Sequence, residues 1–125
     1  MKYSIGIVGN GFVGAAIAAG FSPTCKVRIH DKNELRSLNT LEDTVNLSDV
    51  VFVSVPTPMN EDGSINLKIV ESVFEEITRV KNNPDCTIVL KSTVVPGTTK
   101  RLAKKYPNLN IVYNPEFLTE RKAHF

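Results

Sequence analysis

Three glycines, Gly9, Gly11 and Gly14, follow an apolar run at residues 3–8 in the spacing G-x-G-x-x-G and lead into Ala15-Ala16-Ile17-Ala18-Ala19. A turn of this kind can bring a backbone against the pyrophosphate of a dinucleotide. Gly9 would allow the tight turn, Gly11 would leave no Cβ between backbone and phosphate, and Gly14 would let the helix lie close to the strand. The amides of residues 10–13, those of Phe12 and Val13 among them, would then stand at a helix N-terminus, where unpaired N–H groups and the helix dipole favour an anion. The spacing alone is unspecific. It gains weight here because a strand-like run precedes it and good helix formers follow, with Gly20 and Pro23 as stop signals.

Such a turn needs a carboxylate about 20 residues on, at the end of a second strand, to accept the hydroxyls of the adenine ribose. Asp31 stands in that place, directly after the alternating run Lys26-Val27-Arg28-Ile29-His30. A carboxylate there repels a 2′-phosphate and predicts NAD rather than NADP, whereas Lys32 and Arg36 are cations able to hold one. Asp31 also suits the N-cap of a helix over residues 33–38. Both readings of Asp31 stand at this level.

Three further segments carry candidate groups. Val55-Pro56-Thr57-Pro58 is a proline-fixed loop in which Thr57 can face a cofactor. Lys91-Ser92-Thr93 runs on to Pro96-Gly97-Thr98 and offers hydroxyls to the same place. Asn114-Pro115-Glu116-Phe117-Leu118-Thr119-Glu120 brings two carboxylates, Glu116 and Glu120, that a helix would set on one face. Each has a plainer alternative, since prolines end strand pairing, Ser92 and Thr93 can cap a helix, and Glu120 can be a solvated helix residue.

The elements that position these groups alternate. Strands are predicted at about 3–8, 26–30, 50–55, 87–90 and 110–113, with helices at about 66–81 and 97–106 besides the one after the glycines. This order predicts an α/β fold, a Rossmann-type doubly wound parallel sheet with helices on both faces. All three candidate loops then fall at carboxyl ends of strands, where open α/β sheets bind ligands. Leu67, Val70, Val73, Phe74, Ile77 and Val80 form one apolar stripe of the long helix and are core. Five strands are present against six in the 3-2-1-4-5-6 order, so the sheet reads as truncated before its sixth strand, leaving the strand at 110–113 as an edge able to recruit another chain.

The 125 residues suit one domain, 1–125, with a real core. Fifteen basic against 13 acidic residues, with no basic block, argue against a nucleic-acid surface. No apolar stretch has the length of a membrane span and the N-terminus lacks a signal-peptide layout, so a cytoplasmic setting is the expectation. Cys25 and Cys86 are far apart in sequence and show no metal-site spacing; each reads as a small, partly buried hydrophobe.

Taken together, Gly9-x-Gly11-x-x-Gly14, Val55-Pro56-Thr57-Pro58, Lys91-Ser92-Thr93 with Pro96-Gly97-Thr98, and Asn114-Pro115-Glu116-Phe117-Leu118-x-Glu120 resemble the N-terminal domain of the UDP-glucose and GDP-mannose dehydrogenases. The resemblance implies a two-step, NAD-dependent oxidation of a nucleotide-sugar primary alcohol to the carboxylate, through a covalent intermediate on cysteine, with UDP-glucose to UDP-glucuronate the first expectation. It implies Phe12 and Val13 amides on the pyrophosphate, Asp31 on the ribose with Arg36 beside it, and Thr57 and Thr93 near the nicotinamide. Glu116 and Glu120 would lie at the active site, with Glu120 close to the nicotinamide and engaged in releasing the thioester. A carboxylate in a closed crevice can serve there as a base because desolvation raises its pKa.

Two departures accompany the resemblance. The stretch between Asp31 and the strand at Val50 is shorter than the family usually carries, and Arg121-Lys122-Ala123 follow Glu120 where glycine is common. The family's nucleophilic cysteine, catalytic lysine and substrate-binding half would lie beyond Phe125, so the chain is expected to bind NAD without turnover, and the enzyme to be a homo-oligomer. Two other functions compete: the cofactor domain of a β-hydroxyacid or 6-phosphogluconate type dehydrogenase, which lacks NPEFLxE, and a non-catalytic NAD-binding or assembly module. Coding sequence continuing past Phe125 to a cysteine-bearing domain would favour the enzyme over the module.

Overall fold

The computed structural model describes residues 3–9, 11–92 and 97–113. Thr93, Glu116 and Glu120 lie outside the described residues. The elements alternate as β1 (Ser4–Val8), α1 (Phe12–Phe21), β2 (Lys26–His30), α2 (Leu41–Asn46), β3 (Val50–Val53), α3 (Lys68–Val80), β4 (Thr87–Leu90), α4 (Thr98–Lys105) and β5 (Asn110–Tyr113). All five strands are parallel, in the order β2-β1-β3-β4-β5. This is the predicted doubly wound architecture, and each predicted strand is present. The predicted strand at 50–55 ends two residues early, because the chain turns into the proline loop at Ser54.

Within the six-strand order 3-2-1-4-5-6, the observed strands occupy positions 2-1-4-5-6. Among the described residues, the position of that order without a strand is therefore the one outside β2. There the backbone of residues 38 and 39 lies along β2 instead, both N–H groups donating to the Ile29 carbonyl at 3.0 and 2.8 Å. The short connection between Asp31 and Val50 is the cause, for it holds one short helix and no strand.

That helix, α2, was not predicted. Its two turns start at Thr40, whose side chain accepts from Asp43 N–H at 3.1 Å, and Glu42 and Asp43 in the first turn complement the helix dipole. It lies on β1 at Gly6, where an added Cβ would stand 2.6 Å from the Thr44 carbonyl oxygen and 2.8 Å from Ser48 Oγ. Only glycine lets helix and strand come that close.

Two cores flank the sheet. The larger unites Val45 of α2, Val70, Phe74 and Ile77 of α3 and Leu102 of α4 with Val8, Val51, Val53, Ile88 and Leu90 of the strands. Of the apolar stripe predicted for this helix, Leu67, Val70, Val73, Phe74 and Ile77 make this contact, and Val80 is half-buried at the helix end. Phe74 also stacks on Tyr106 at 6.1 Å, and the Tyr106 hydroxyl donates to Glu75 Oε2 at 2.7 Å. The smaller core lies on the opposite face, where Ile5, Ile7 and Ala18 pack with Phe21, Val27, Ile29 and Phe52. Alternate residues of β1 and β3 thus serve opposite faces, which is why their sequences are continuously apolar. Cys86 is fully buried in the larger core and Cys25 is half-buried against the smaller one.

At the amino ends of the strands, Asn46 ties α2 to the end of α3. Its Oδ1 accepts from the N–H groups of Asn82 and Asn83 at 2.7 and 3.2 Å, and its Nδ2 donates to the Val80 carbonyl at 2.8 Å. Asn83 returns its own amide to the Ser48 carbonyl at 3.2 Å.

Candidate cofactor site

The sheet order reverses between β1 and β3, and a crevice of about 890 Å³ opens there beyond the carboxyl ends of the strands. That is where doubly wound sheets bind ligands. Val8, Gly9, Gly11 and Val13 form its floor, His30, Asp31, Asn33 and Arg36 one wall, and Ser54, Val55 and Pro56 the other. One face of α3 completes it with Lys68, Ile69, Ser72, Val73 and Glu76.

The three glycines are glycine for different reasons. Gly9 has φ +100°, a left-handed conformation, and its Cβ position overlaps the Ser54 carbonyl. Gly14 faces β1 from α1, and a Cβ there would collide with the Gly9 carbonyl and stand 3.3 Å from Ile7 Cγ2. A Cβ on Gly11, by contrast, would meet no protein atom within 4 Å. Packing requires the first and third glycines, while the second faces open space at the floor of the crevice.

Gly11 is also the N-cap of α1 and, having no side chain, offers no cap of its own to the amides of the first turn. The first turn holds no acidic residue to oppose an anion. Helix N-terminal donors, an unobstructed approach and a crevice of ligand size together suit a dinucleotide pyrophosphate. The groove is held open by backbone ladder bonds on both sides, Gly9 N–H to the His30 carbonyl at 2.8 Å and Ser54 N–H to the Val8 carbonyl at 2.9 Å.

Asp31 lines the crevice. The helix proposed for residues 33–38 is absent, and the segment is a turn. Asp31 Oδ1 accepts from Asn33 N–H at 2.8 Å, Asn33 Oδ1 from Leu35 N–H at 3.0 Å, and the Asn33 carbonyl from Arg36 N–H at 2.9 Å. Asp31 therefore fastens a short turn and starts no helix. The same turn sets Arg36 beside Asp31 in the wall.

On the other wall Pro56 faces the crevice, whereas Thr57 is half-buried and falls outside its lining. Ser92 is buried behind this loop and bonds the Val55 backbone. It neither lines the crevice nor caps α4, whose N-cap is Gly97 at φ +90°. The glycine turn, Asp31, Arg36 and the start of the proline loop are thus brought together.

Sequence reasoning missed the contribution of α3. Lys68, Ser72 and Glu76 recur every four residues and Ile69 and Val73 run beside them, so the stripe was visible, but its direction depends on how α3 packs. Neither cysteine lines the crevice, and burial pushes the Cys86 thiol up to about 11, leaving it protonated at neutral pH. Among the described residues no group of three His, Cys, Asp or Glu side chains forms a metal-ligating cluster, and no helix is long and apolar enough to cross a membrane.

The geometry agrees with the known proteins this chain is similar to. A family model described as the UDP-glucose/GDP-mannose dehydrogenase family, NAD binding domain, matches residues 26–125. A UDP-glucose 6-dehydrogenase of Streptococcus pneumoniae is 32% identical over 146 aligned positions, which take in 95% of this chain and 37% of that protein. An alignment longer than the 125 residues of this chain requires positions where the relative has residues that this chain lacks. Among solved structures, a UDP-glucose dehydrogenase of Pyrobaculum islandicum superposes with a TM-score of 0.74 at 24% identity, over 94% of this chain and 36% of that one. A UDP-D-ManNAc dehydrogenase of Pyrococcus horikoshii does so with a TM-score of 0.78 at 20% identity, over 91% of this chain and 36% of that one. At these identities the two structures share the fold, and this chain spans little more than a third of the length of each of the three proteins. The family match over residues 26–125 shows that this chain belongs to the UDP-glucose/GDP-mannose dehydrogenase family and is its NAD-binding domain.

Proposed function

We propose that the crevice at the β1–β3 reversal holds NAD for the oxidation of a nucleotide sugar, with UDP-glucose as the substrate and the product a UDP-uronate. The observation that carries this reading is Gly11, whose missing side chain answers to no contact in the protein and leaves the first-turn amides of α1 approachable. In this reading the amides of Phe12 and Val13 bind the pyrophosphate between Gly9 and Gly14, Asp31 accepts the ribose hydroxyls, and Arg36 closes the adenosine side. Thr57 and Thr93 flank the nicotinamide, past Pro56. Glu116 and Glu120 work at the reacting end, Glu120 in the hydrolytic step. NAD, when bound, supplies the hydride acceptor, and this chain's residues orient it and keep a 2′-phosphate out.

The chain holds two cysteines, and both lie away from the crevice. It therefore does not carry the covalent step by itself, and the complete reaction belongs to a homo-oligomeric, cytoplasmic enzyme in which a further domain supplies the thiol. Calorimetric titration of the 125-residue chain tests the reading. NAD is expected to bind, NADP to bind more weakly, and Asp31→Ala to lose NAD affinity and narrow the gap; an Asp31→Ala variant with wild-type NAD affinity removes the ribose assignment. Addition of UDP-glucose is expected to yield no NADH, and NADH formation by this chain refutes its incompetence.

A further inference from the structure

In a parallel strand, alternate residues turn their N–H and C=O groups to opposite neighbours. The His30 carbonyl faces β1, where it accepts from Gly9 N–H, so Ile29 turns its groups to the outer edge of β2. That edge is where the six-strand order would place another strand. Here Ile29 N–H donates to Asn39 Oδ1 at 2.9 Å, and the Ile29 carbonyl accepts from Asn39 N–H at 2.8 Å. One asparagine, through its side-chain carbonyl and its own N–H, makes both bonds that a neighbouring strand would make.

The bonds continue toward the crevice. The Asn39 carbonyl accepts from the Ser37 hydroxyl at 3.0 Å and stands 3.1 Å from His30 Nδ1. Ser37 Oγ in turn accepts from Asp31 N–H at 3.1 Å. Asn39 and Ser37 do not line the crevice, yet they hold the β2 edge on one side and the backbone of Asp31 on the other.

We propose that Asn39 and Ser37 are positioning residues for the cofactor ribose, replacing an absent edge strand and fixing the direction in which Asp31 presents its carboxylate. The inference rests on the assignment of Asp31 to the ribose. A lost connection of this kind is worth about five-fold in affinity when it acts through a single hydrogen-bonded carboxylate.

The test is a double-mutant cycle on the 125-residue chain, read by NAD affinity. Asn39→Ala and Ser37→Ala are each expected to weaken NAD about five-fold, and Asn39→Asp, which keeps the acceptor oxygen, to restore binding. In the Asp31→Ala background, Asn39→Ala is expected to add no further loss, and the same holds for an NAD analogue lacking the adenosine 2′-hydroxyl. Full additivity in the Asp31→Ala background overturns the proposal, because the effect is then general destabilisation. Loss of affinity in Asp31→Ala with none in Asn39→Ala or Ser37→Ala also overturns it, while leaving the ribose assignment intact. Wild-type affinity in Asp31→Ala removes that assignment and the proposal together. If Asn39→Ala does not fold, Ser37→Ala decides, since it leaves both Ile29 bonds in place.

Discussion

Ser92 and Val55 are bonded in both directions: the Ser92 hydroxyl oxygen accepts from Val55 N–H at 2.9 Å and its hydrogen goes to the Val55 carbonyl, 2.7 Å away. One buried side chain after β4 thus satisfies a residue that has just left β3. Ser92→Ala leaves a backbone donor and acceptor without these partners and is expected to cost about 1–3 kcal/mol in urea unfolding. Because Val55 lines the crevice, NAD affinity is expected to fall as well. Affinity unchanged beside a clear stability loss would show that the loop holds its position without Ser92.

The glycines of the turn divide between folding and binding. Gly14→Ala places a methyl into the Gly9 carbonyl and is expected to destabilise the protein by about 1–3 kcal/mol. Gly11→Ala meets no protein atom and has an ordinary φ of −85°, so the stability loss is expected to be limited to the poorer N-cap, about 1 kcal/mol or less. Its NAD affinity is expected to drop about ten-fold or more, because the methyl occupies the approach to the helix amides. Denaturation and calorimetry on the two variants check the division.

Asn46 provides the opposite case. Removing its amide strands two N–H groups and one carbonyl at the amino ends of the strands, away from the crevice. Asn46→Ala is expected to lose about 2 kcal/mol of stability and to retain wild-type NAD affinity once folded. A chemical denaturation curve and one titration suffice.

Cys86 predicts the alkaline limb of stability. Burial raises its thiol from 9.0 to about 11, so the folded state keeps a proton that the unfolded chain releases. The stabilisation is complete below pH 9 and is lost as pH rises toward 11. Tyr106, raised to about 12 chiefly by burial and then by its bond to Glu75, adds a second loss at higher pH. Cys86→Ala is expected to be less stable at neutral pH but flatter between pH 9 and 11 than wild type, which pH-dependent urea midpoints measure. At pH 8, a thiol reagent is expected to modify half-buried Cys25 well before Cys86.

The apolar runs of β1, β3 and β4 and the stripe of α3 were legible in the sequence because burial on both faces of a parallel sheet leaves a continuous apolar record. The glycine turn was legible in part for the same kind of reason, since Gly14 answers to Gly9 and Ile7 a few residues away, whereas Gly9 answers to distant Ser54. Other features depend on distant partners. Ser92 read as a cap or a crevice hydroxyl, and only its meeting with Val55 shows a brace. α2 escaped notice because six residues with two buried positions, Thr44 and Val45, carry almost no period. Asn39 gave no sign of its role, because a side chain that imitates a strand has no sequence pattern.

Gly6 gives the short connection between β2 and β3 its geometric basis. Parallel strands need a return path from the top of one to the bottom of the next in sequence, and between β2 and β3, which flank β1, α2 makes that return in two turns by lying almost against the backbone of β1. A side chain at the middle of β1 would lift the helix outward and lengthen the arc the chain must travel. The shortness of this connection is therefore tied to a single missing methyl in the middle of β1, on a strand whose far end begins the cofactor turn.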